Sequence, residues 1–218
     1  MKTLVSEQWA AQALFSPAAD RNKHDILIQL QRCLPDSGTA LEIASGTGQH
    51  LACFAGAMPG WTWQPTDLES SAFSTITANT QGLGLTNVRA PLQLDVLSSA
   101  WRQADGPPLG DEVFNAIYCA NMLHIAPWTT CAALMQGAAH RLGSGGRLMT
   151  YGPFLEDNVP TSPGNLSFDA SLRGSNPDWG IRRREDVEAS AHLAGLTLLS
   201  RCAMPANNLL LVFGQASA

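Results

Sequence analysis

The chain alternates between short apolar runs and longer segments in which apolar residues recur every three or four positions. Apolar runs such as "VFNAIYCANML" at 113–123 predict buried strands, because a strand covered on both faces shows no polar side. Residues 19–35 instead place Leu27, Leu30 and Leu34 on one face of a helix. Strands that alternate with helices are typical of a parallel sheet with helices on both faces.

The pattern predicts seven strands and the helices between them. The strands are at 39–43, 61–67, 88–96, 113–123, 147–153, 196–204 and 207–215, and the helices are at 19–35, 49–57, 70–84, 98–104, 129–146 and 183–195. Only "PAN" separates the last two strands, which is too short for a parallel crossover. The predicted fold class is α/β: a Rossmann-like, seven-stranded, mostly parallel sheet with helices on both faces and a C-terminal antiparallel hairpin.

Two segments depart from this alternation. Residues 1–20 predict an irregular N-terminal arm with a little helical pattern, and residues 154–180 hold Pro, Gly, Asn and Ser with little periodicity. A structureless connection of that length inside a compact domain is usually functional, so we expect a lid-like insert. The alternative is a surface loop that covers a sheet edge. The length of 218 residues suits a single domain, 1–218.

The amino-acid composition favours some classes of binding partner over others. Apolar residues make up 45% of the chain, the net charge is −5 and the pI is about 5.4. This balance is unfavourable for a nucleic-acid-binding protein, which normally shows a basic face. The five cysteines are scattered without metal-binding spacing, and neither a signal peptide nor a membrane span is evident. We therefore expect a cytoplasmic protein with a small-molecule partner, without nucleic acid, membrane or metal, and the oligomeric state stays open.

The stretch "TALEIASGTGQH" runs from a strand through a glycine turn into a helix. Gly46 and Gly48 have no Cβ, so a ligand can lie against bare backbone where the helix begins. Three acids are placed alike: Glu42 within the first strand, Asp67 at the end of the second and Asp95 at the end of the third. The carboxyl ends of parallel strands face one crevice, where ligands bind.

The spacing of the acids points to an adenosine-like ligand. Asp67 follows Gly48 by 19 residues, close to the offset of about 20 residues at which an acid binds a ribose diol. Asp95 is placed to accept from an adenine amine. A dinucleotide fingerprint requires Gly or Ala at its sixth position, where this chain has Leu51. S-adenosylmethionine (SAM) fits better, and Glu42 suits its sulfonium charge.

The same residues resemble a known family. "LEIASGTGQH" resembles the first motif of class I SAM-dependent methyltransferases, with Ala44 where the first glycine is usual. Further segments resemble the methyltransferase-like family known as domain of unknown function 938. These segments are "DRNKHDIL", "WQPTDLE", "GLTNVRAPLQLDV", "NMLHIAPW", "YGPF", "NLSFDASLRGSNPDWGIR" and "MPANNLLLVF". They extend from about residue 20 to 213, and the resemblance implies the fold and SAM binding without naming a substrate.

The resemblance carries cofactor contacts over to this chain by position. The expected SAM-binding residues are Asn22, Lys23, Glu42, Ser45, Gly46, Gly48, Asp67, Leu68, Asp95, Val96 and Asn121. Structural roles stand beside them: Asp67 and Asp95 are also suited to cap the helices that follow, and Glu42 to accept from loop amides.

Catalytic and acceptor residues are expected after the fourth strand and in the insert. His124 and Tyr151 are the catalytic candidates, because an ordinary histidine has a pKa near neutral and can take a proton. Their structural alternatives are a histidine hydrogen-bonded within a loop and a half-buried aromatic residue. The expected acceptor contacts are Asn165, Asp169, Arg173, Trp179 and Asn207.

The leading functional hypothesis is a SAM-dependent methyltransferase that acts on a small molecule. A SAM-binding regulatory protein without methyl transfer, or an enzyme that transfers another SAM-derived group, is the alternative. A nucleic-acid methyltransferase is disfavoured because Asn121 is followed by Met122 and Leu123 rather than by two prolines. A nicotinamide-dependent oxidoreductase is disfavoured by Leu51.

Overall fold

The computed structural model describes residues 15–98, 101 and 109–215. The chain forms two compact units, residues 1–93 and residues 94–218. Within the described part of the chain, no helix has both the length and the apolar character that crossing a membrane requires.

In its described residues, the first unit is a parallel three-stranded arrangement with three α-helices. Its strands are β1 (Gly38–Ile43), β2 (Trp61–Asp67) and β3 (Leu92–Gln93), and its helices are α1 (Pro17–Cys33), α2 (Gln49–Ala57) and α3 (Phe73–Gln81). β2 lies between β1 and β3 and pairs with both in parallel. A turn of 3₁₀-helix, Ser70–Ala72, precedes α3. Ser16 caps α1 by accepting from the Ala19 amide at 3.3 Å, with Pro17 in the first turn.

Aromatic side chains fill the interior of the first unit. Trp61, Trp63 and Phe54 are almost fully buried, and the ring centres of Trp61 and Trp63 lie 6.3 Å apart. The Trp61 indole N–H donates to the Pro35 carbonyl at 2.9 Å, so its polar atom is satisfied inside the core. This packing fixes β1 and β2, whose ends carry the predicted cofactor residues.

The second unit contains the remaining strands and helices. Its strands are β4 (Phe114–Ala120), β5 (Leu142–Leu155), β6 (Arg182–Arg183), β7 (Leu196–Met204) and β8 (Asn208–Gln215), and its helices are α4 (Thr129–Arg141), α5 (Pro163–Ser175) and α6 (Arg184–Leu193). β4 and β5 pair in parallel, while β8 pairs antiparallel with both β5 and β7. β6 pairs in parallel with the end of β5.

The predicted fold class is confirmed. Paired strands are parallel except at the C-terminus, where β7 and β8 form the expected antiparallel hairpin with Met204 opposite Asn208. The short connection Pro205–Asn207 is a 3₁₀ turn in which Ala206 and Asn207 have φ angles of 58° and 56°. β6 is an additional strand of two residues that the hydrophobic pattern did not predict.

Two expectations for irregular segments are corrected. Residues 17–20, assigned to the arm, are the first turn of α1. The insert 154–180 contains the 13-residue helix α5, which Ser162 caps by accepting from the Asn165 amide at 3.3 Å. Only Leu172 of α5 is buried, so the helix has almost no apolar stripe for a pattern search to find. Most of the helix predicted at 98–104 lies outside the described residues.

Candidate functional site

The turn after β1 holds three residues in the left-handed region. Ala44, Gly46 and Gly48 have φ angles of 54°, 54° and 72°. A Cβ at Gly48 would lie 3.1 Å from the Ile76 Cα, so a larger residue would crowd α3. Ala44 adopts a conformation that costs a residue with a Cβ about 1–2 kcal/mol. Gly48 precedes α2 and provides no side-chain cap to the helix.

Asp67, the last residue of β2, is bonded to this turn. Its Oδ2 accepts from the Gly46 amide at 2.8 Å and its Oδ1 accepts from the Glu69 amide at 3.1 Å. The residue that precedes the 3₁₀ turn after β2 is Glu69, so Asp67 is not its N-cap. An ionised carboxylate has about four acceptor positions, and the two that remain can receive a ribose diol.

Glu42 is a buried carboxyl below the turn. Its side chain is 2% exposed, and Oε2 has no hydrogen-bond partner among the described residues. Burial raises the pKa of Glu42 to about 8, with the Ser45 side chain acting in the opposite direction and the negative charge of Asp67 adding to the rise. Glu42 is therefore mostly protonated at neutral pH, and a cation nearby would favour its ionised form.

Asn22 and Lys23 lie on helix α1 rather than in an arm. Asn22 Oδ1 is 2.6 Å from His50 Nε2, and burial together with the charge of Lys23 lowers the pKa of His50 to about 4. The neutral His50 ring therefore donates to Asn22. Lys23 forms an ion pair with Asp20 at 2.6 Å. Both predicted residues thus have partners within the first unit.

A cavity of about 620 Å³ lies among helices α1, α2 and α3. Its described lining includes Lys23, His24, Gln49, Cys53 and Asn79, together with apolar side chains. Lys23 is the one residue on this described lining that the sequence assigned to the cofactor. The glycine turn and the two acids beside it, Glu42 and Asp67, therefore do not line this cavity.

The predicted cofactor residues Leu68, Asp95 and Val96 follow strands β2 and β3 of the first unit. Leu68, directly after β2, leaves 53% of its side chain exposed. Asp95 is exposed and lies two residues beyond the end of β3, which corrects its placement at the strand end. Its Oδ1 accepts from the Leu97 amide at 2.9 Å, as in a turn, and Val96 is 7% exposed.

The turn after β4 carries Asn121 and His124. Asn121 has a φ of 59°, and its amide donates to the Tyr151 carbonyl at 2.8 Å. His124 ends the 3₁₀ turn Met122–His124 and is 1% exposed. Within the described residues, neither of its ring nitrogens has a hydrogen-bond partner.

The expectation of a near-neutral pKa for His124 is corrected. Burial, with the charge of Arg182, lowers the pKa of His124 to about 3, although Asp169 acts in the opposite direction. The Phe154 ring meets the imidazole edge-on at 5.3 Å between centres. A Cβ at Gly152 would lie 2.2 Å from His124 Nε2, so this glycine makes room for the ring.

Tyr151 lies inside β5 rather than at its end, because the strand continues to Leu155. The residue is opposite Ala120 on β4 and Leu210 on β8. Its side chain is 3% exposed, which corrects the alternative of a half-buried ring with its hydroxyl in water.

The predicted acceptor residues form two hydrogen-bonded pairs and one separate residue. Asn165 Nδ2 donates to the Asn207 carbonyl at 2.8 Å, which joins α5 to the β7–β8 turn. Asp169 Oδ2 accepts from Arg173 Nε at 2.9 Å on the same helix. Trp179 is half-buried, and its amide donates to the Asn176 carbonyl at 3.0 Å.

Two residues that the sequence analysis did not assign contact the turn after β4. Gly152 packs against the His124 ring, and the half-buried Arg182 donates hydrogen bonds to backbone carbonyls of that turn. The signal for Gly152 was its place in a buried strand, where a glycine suggests close approach of another group. Arg182 belongs to a run of three arginines, and nothing in that run distinguishes a half-buried arginine from its solvated neighbours.

The comparisons with known proteins cover nearly the whole chain. Residues 13–215 match the model of the family described as "Protein of unknown function (DUF938)". Solved methyltransferase structures share the fold. They include mitomycin 7-O-methyltransferase MmcR, with 16% identity and a TM-score of 0.70 over 83% of this chain. Human N-acetylserotonin methyltransferase in complex with SAM has 12% identity and a TM-score of 0.72 over 92% of this chain.

A third structure is CalO1, a methyltransferase in calicheamicin biosynthesis in its SAH-bound form. It has 14% identity and a TM-score of 0.69 over 89% of this chain. The chain spans about half the length of these solved proteins, with 49%, 53% and 54% of their chains covered. At these identities the likeness establishes the fold alone, which this chain shares with the three methyltransferase structures.

Proposed function

Because this chain belongs to the DUF938 family, whose function is undefined, we propose from its own residues that it is a SAM-dependent methyltransferase acting on a small molecule. The observation that carries the proposal is the bond from the Gly46 amide to the Asp67 carboxylate, 2.8 Å long, beside the buried carboxyl of Glu42. The matched structures that hold SAM or its product, S-adenosylhomocysteine (SAH), support the same cofactor.

The residues of the first unit fit the parts of SAM. Asp67 has two acceptor positions left for the ribose hydroxyls, and the exposed Leu68 offers an apolar surface to a base. The uncapped amides after Gly48 suit the carboxylate of the methionine part. From the second unit, Asp95, Val96 and Asn121 stay predicted contacts, as does Ser45 in the first.

Glu42 is the residue whose protonation state would respond to a positively charged ligand. Its Oε2 is buried without a partner among the described residues, which is costly unless a ligand or water completes it. A sulfonium or ammonium cation would lower the pKa of Glu42 from about 8 and favour the carboxylate. Binding of a cationic cofactor at neutral pH is therefore expected to release a proton from this residue.

When bound, SAM supplies a methyl group that is already activated by its sulfonium charge. The chain's task is then mainly alignment, which can contribute about 7–11 kcal/mol to lowering a barrier. His124 stays neutral, since its pKa is about 3, and it stays a predicted catalytic group. Such a weak base contributes less by proton transfer than a histidine with an ordinary pKa would. Tyr151 stays a predicted second catalytic group.

Formation of SAH tests the methyl-transfer step. The purified protein would be incubated with SAM labelled in its methyl group and with fractionated small-molecule extracts. We expect SAH and one labelled product to appear together. A His124→Gln variant should reduce that rate while it still binds SAM.

The products distinguish the proposal from its alternatives. SAM binding without SAH in any fraction would indicate a regulatory SAM-binding protein. Methylthioadenosine in place of SAH would indicate transfer of the aminocarboxypropyl group. Either result would refute methyl transfer and leave the cofactor assignment standing.

A further inference from the structure

The segment before α6 contacts the backbone of the turn after β4. We propose that Arg182 is a positioning residue that fixes the turn carrying Asn121 and His124, so that the end of the insert is a permanent clamp on the acceptor side. This inference rests on the proposed function for its purpose, but its geometry stands on contacts within the second unit alone.

Arg182 bonds three backbone carbonyls at once. Its Nε donates to the Leu123 carbonyl at 2.8 Å, and its Nη2 donates to the carbonyls of Ala126 at 2.5 Å and Asp178 at 2.7 Å. The guanidinium carbon also lies 5.7 Å from the ring centre of Trp128. One side chain therefore joins both ends of the 122–126 turn to the segment 178–182.

The two residues before Arg182 donate further backbone hydrogen bonds that add to the clamp. The Gly180 amide donates to the His124 carbonyl at 2.9 Å, and the Ile181 amide donates to Asp169 Oδ1 at 2.7 Å. A Cβ at Gly180 would lie 2.6 Å from Arg173 Nη2, so the segment packs closely on α5. The polar head of Asp169, predicted to bind the acceptor, is thereby used to hold the clamp.

The pairing of β6 with β5 places the clamp beside the histidine. Arg182 is opposite Phe154, whose ring meets His124 edge-on. His124 is thus bounded by Gly152 and Phe154 of β5, by Gly180 and by its own turn. The groups whose charges act on His124 are Arg182 and Asp169. The ring packs against Gly152 and Phe154, while the backbone carbonyl of His124 accepts from the Gly180 amide. Both parts of the residue are thus held in place, which is what alignment of an acceptor requires.

Arginine is required here for a geometric reason. A guanidinium presents several N–H donors in a rigid plane and stacks on an aromatic ring, whereas a lysine ammonium is a single compact charge. Lysine at position 182 would keep the charge but could not reach all three carbonyls in fixed directions. A role in positioning and a role as a nearby charge therefore predict different outcomes for Arg182→Lys.

The test follows the ring of His124 by NMR in the full chain, without cofactor or acceptor. The variants are Arg182→Lys and Arg182→Met, and the ring signal is assigned by its loss in His124→Gln. In the unaltered protein the pKa of about 3 means that the ring does not titrate between about pH 5 and pH 8. We expect both variants to raise the pKa of His124 towards its ordinary value of 6.5, so that the signal moves with pH in this range.

Arg183→Met is the matched control. Arg183 is the neighbouring residue of β6 and forms ion pairs with Asp157 and Asp186, so the control loses charged contacts but none to the turn. We expect its melting temperature to fall slightly and its His124 signal to stay unchanged. An Arg182→Lys variant that behaves as the unaltered protein would overturn the proposal, because charge alone would then suffice.

Trp128→Leu keeps the test decisive if the Arg182 variants do not fold. Trp128 is 42% exposed, so its replacement is compatible with folding, and it removes the ring beneath the guanidinium. We expect a smaller rise in the pKa of His124. An unchanged His124 signal in this variant would also overturn the proposal. The NMR readout uses no SAM, so its failure is separable from a failure of the proposed function.

Discussion

Among single residues, the proposed cofactor site depends on two carboxyl groups, Asp67 and Glu42, of which one is at the surface and the other is buried. Asp67 accepts hydrogen bonds from two backbone amides at the surface, whereas Glu42 is buried and one of its oxygens lacks a hydrogen-bond partner among the described residues. The first arrangement fixes a hydrogen-bond acceptor at the turn. The second keeps Glu42 protonated, and a cation bound nearby would favour loss of that proton.

Glu42→Gln is predicted to be stabilised relative to the unaltered protein, and this difference in the free energy of unfolding should be larger at alkaline pH than at acid pH. The folded protein keeps Glu42 protonated up to a pKa of about 8, whereas in the unfolded chain Glu42 ionises near its ordinary pKa of 4.5. The unfolded state therefore binds fewer protons between these values, and the stability of the unaltered protein falls as pH rises. The amide lacks this titration, so its advantage should grow by roughly 2–4 kcal/mol between about pH 5 and pH 8.

Urea unfolding at several pH values measures this difference. Glu69→Gln, at an exposed residue of the same unit, is the matched control. A difference between Glu42→Gln and the unaltered protein that stays constant with pH would contradict the buried, protonated state of Glu42.

Sequence reasoning at this scale identified some residues and missed others for physical reasons. Asp67 was found because its distance along the chain from Gly48 is fixed by the strand–turn–helix unit between them. The shifted pKa of His124 was missed because burial by β5 and the 178–182 segment depends on contacts distant in sequence. Arg182 was missed because two of its three carbonyl partners, those of Leu123 and Ala126, are distant from it in sequence.

At the scale of elements, helix α5 shows how a cap can replace an apolar stripe as the signal of a helix. Its single buried residue, Leu172, gives no periodicity, but Ser162 and Pro163 form a favourable start. The C-terminal hairpin was predictable because a short connection permits only antiparallel pairing. The two-residue β6 was not, since its existence depends on pairing with β5.

Ser162→Ala is predicted to destabilise the second unit through α5. The hydroxyl accepts from the Asn165 amide at 3.3 Å, and loss of such a cap costs about 1 kcal/mol. Chemical unfolding measures the change, and Ser167→Ala, at an exposed position within the helix, is the control. Equal stabilities of the two variants would show that the cap contributes nothing.

Across the whole molecule, the family and the fold are established, whereas the chemistry is proposed. The family model and the hydrophobic pattern agree over most of the chain, which is why the fold class was predictable from sequence. A single domain and a cytoplasmic location stay predictions. The acceptor was not predictable, because small-molecule methyltransferases share this fold while their acceptors differ.

Calorimetric titration of SAH into the unaltered protein, Asp67→Ala and Asp36→Ala tests whether Asp67 binds the ribose of the cofactor. Asp36 is an exposed acid of the same unit and serves as the matched control. We predict that the unaltered protein and Asp36→Ala bind SAH equally, while Asp67→Ala keeps its fold by circular dichroism and loses at least about tenfold in affinity. Equal affinity in the folded Asp67→Ala variant would contradict the assignment of Asp67 to the ribose.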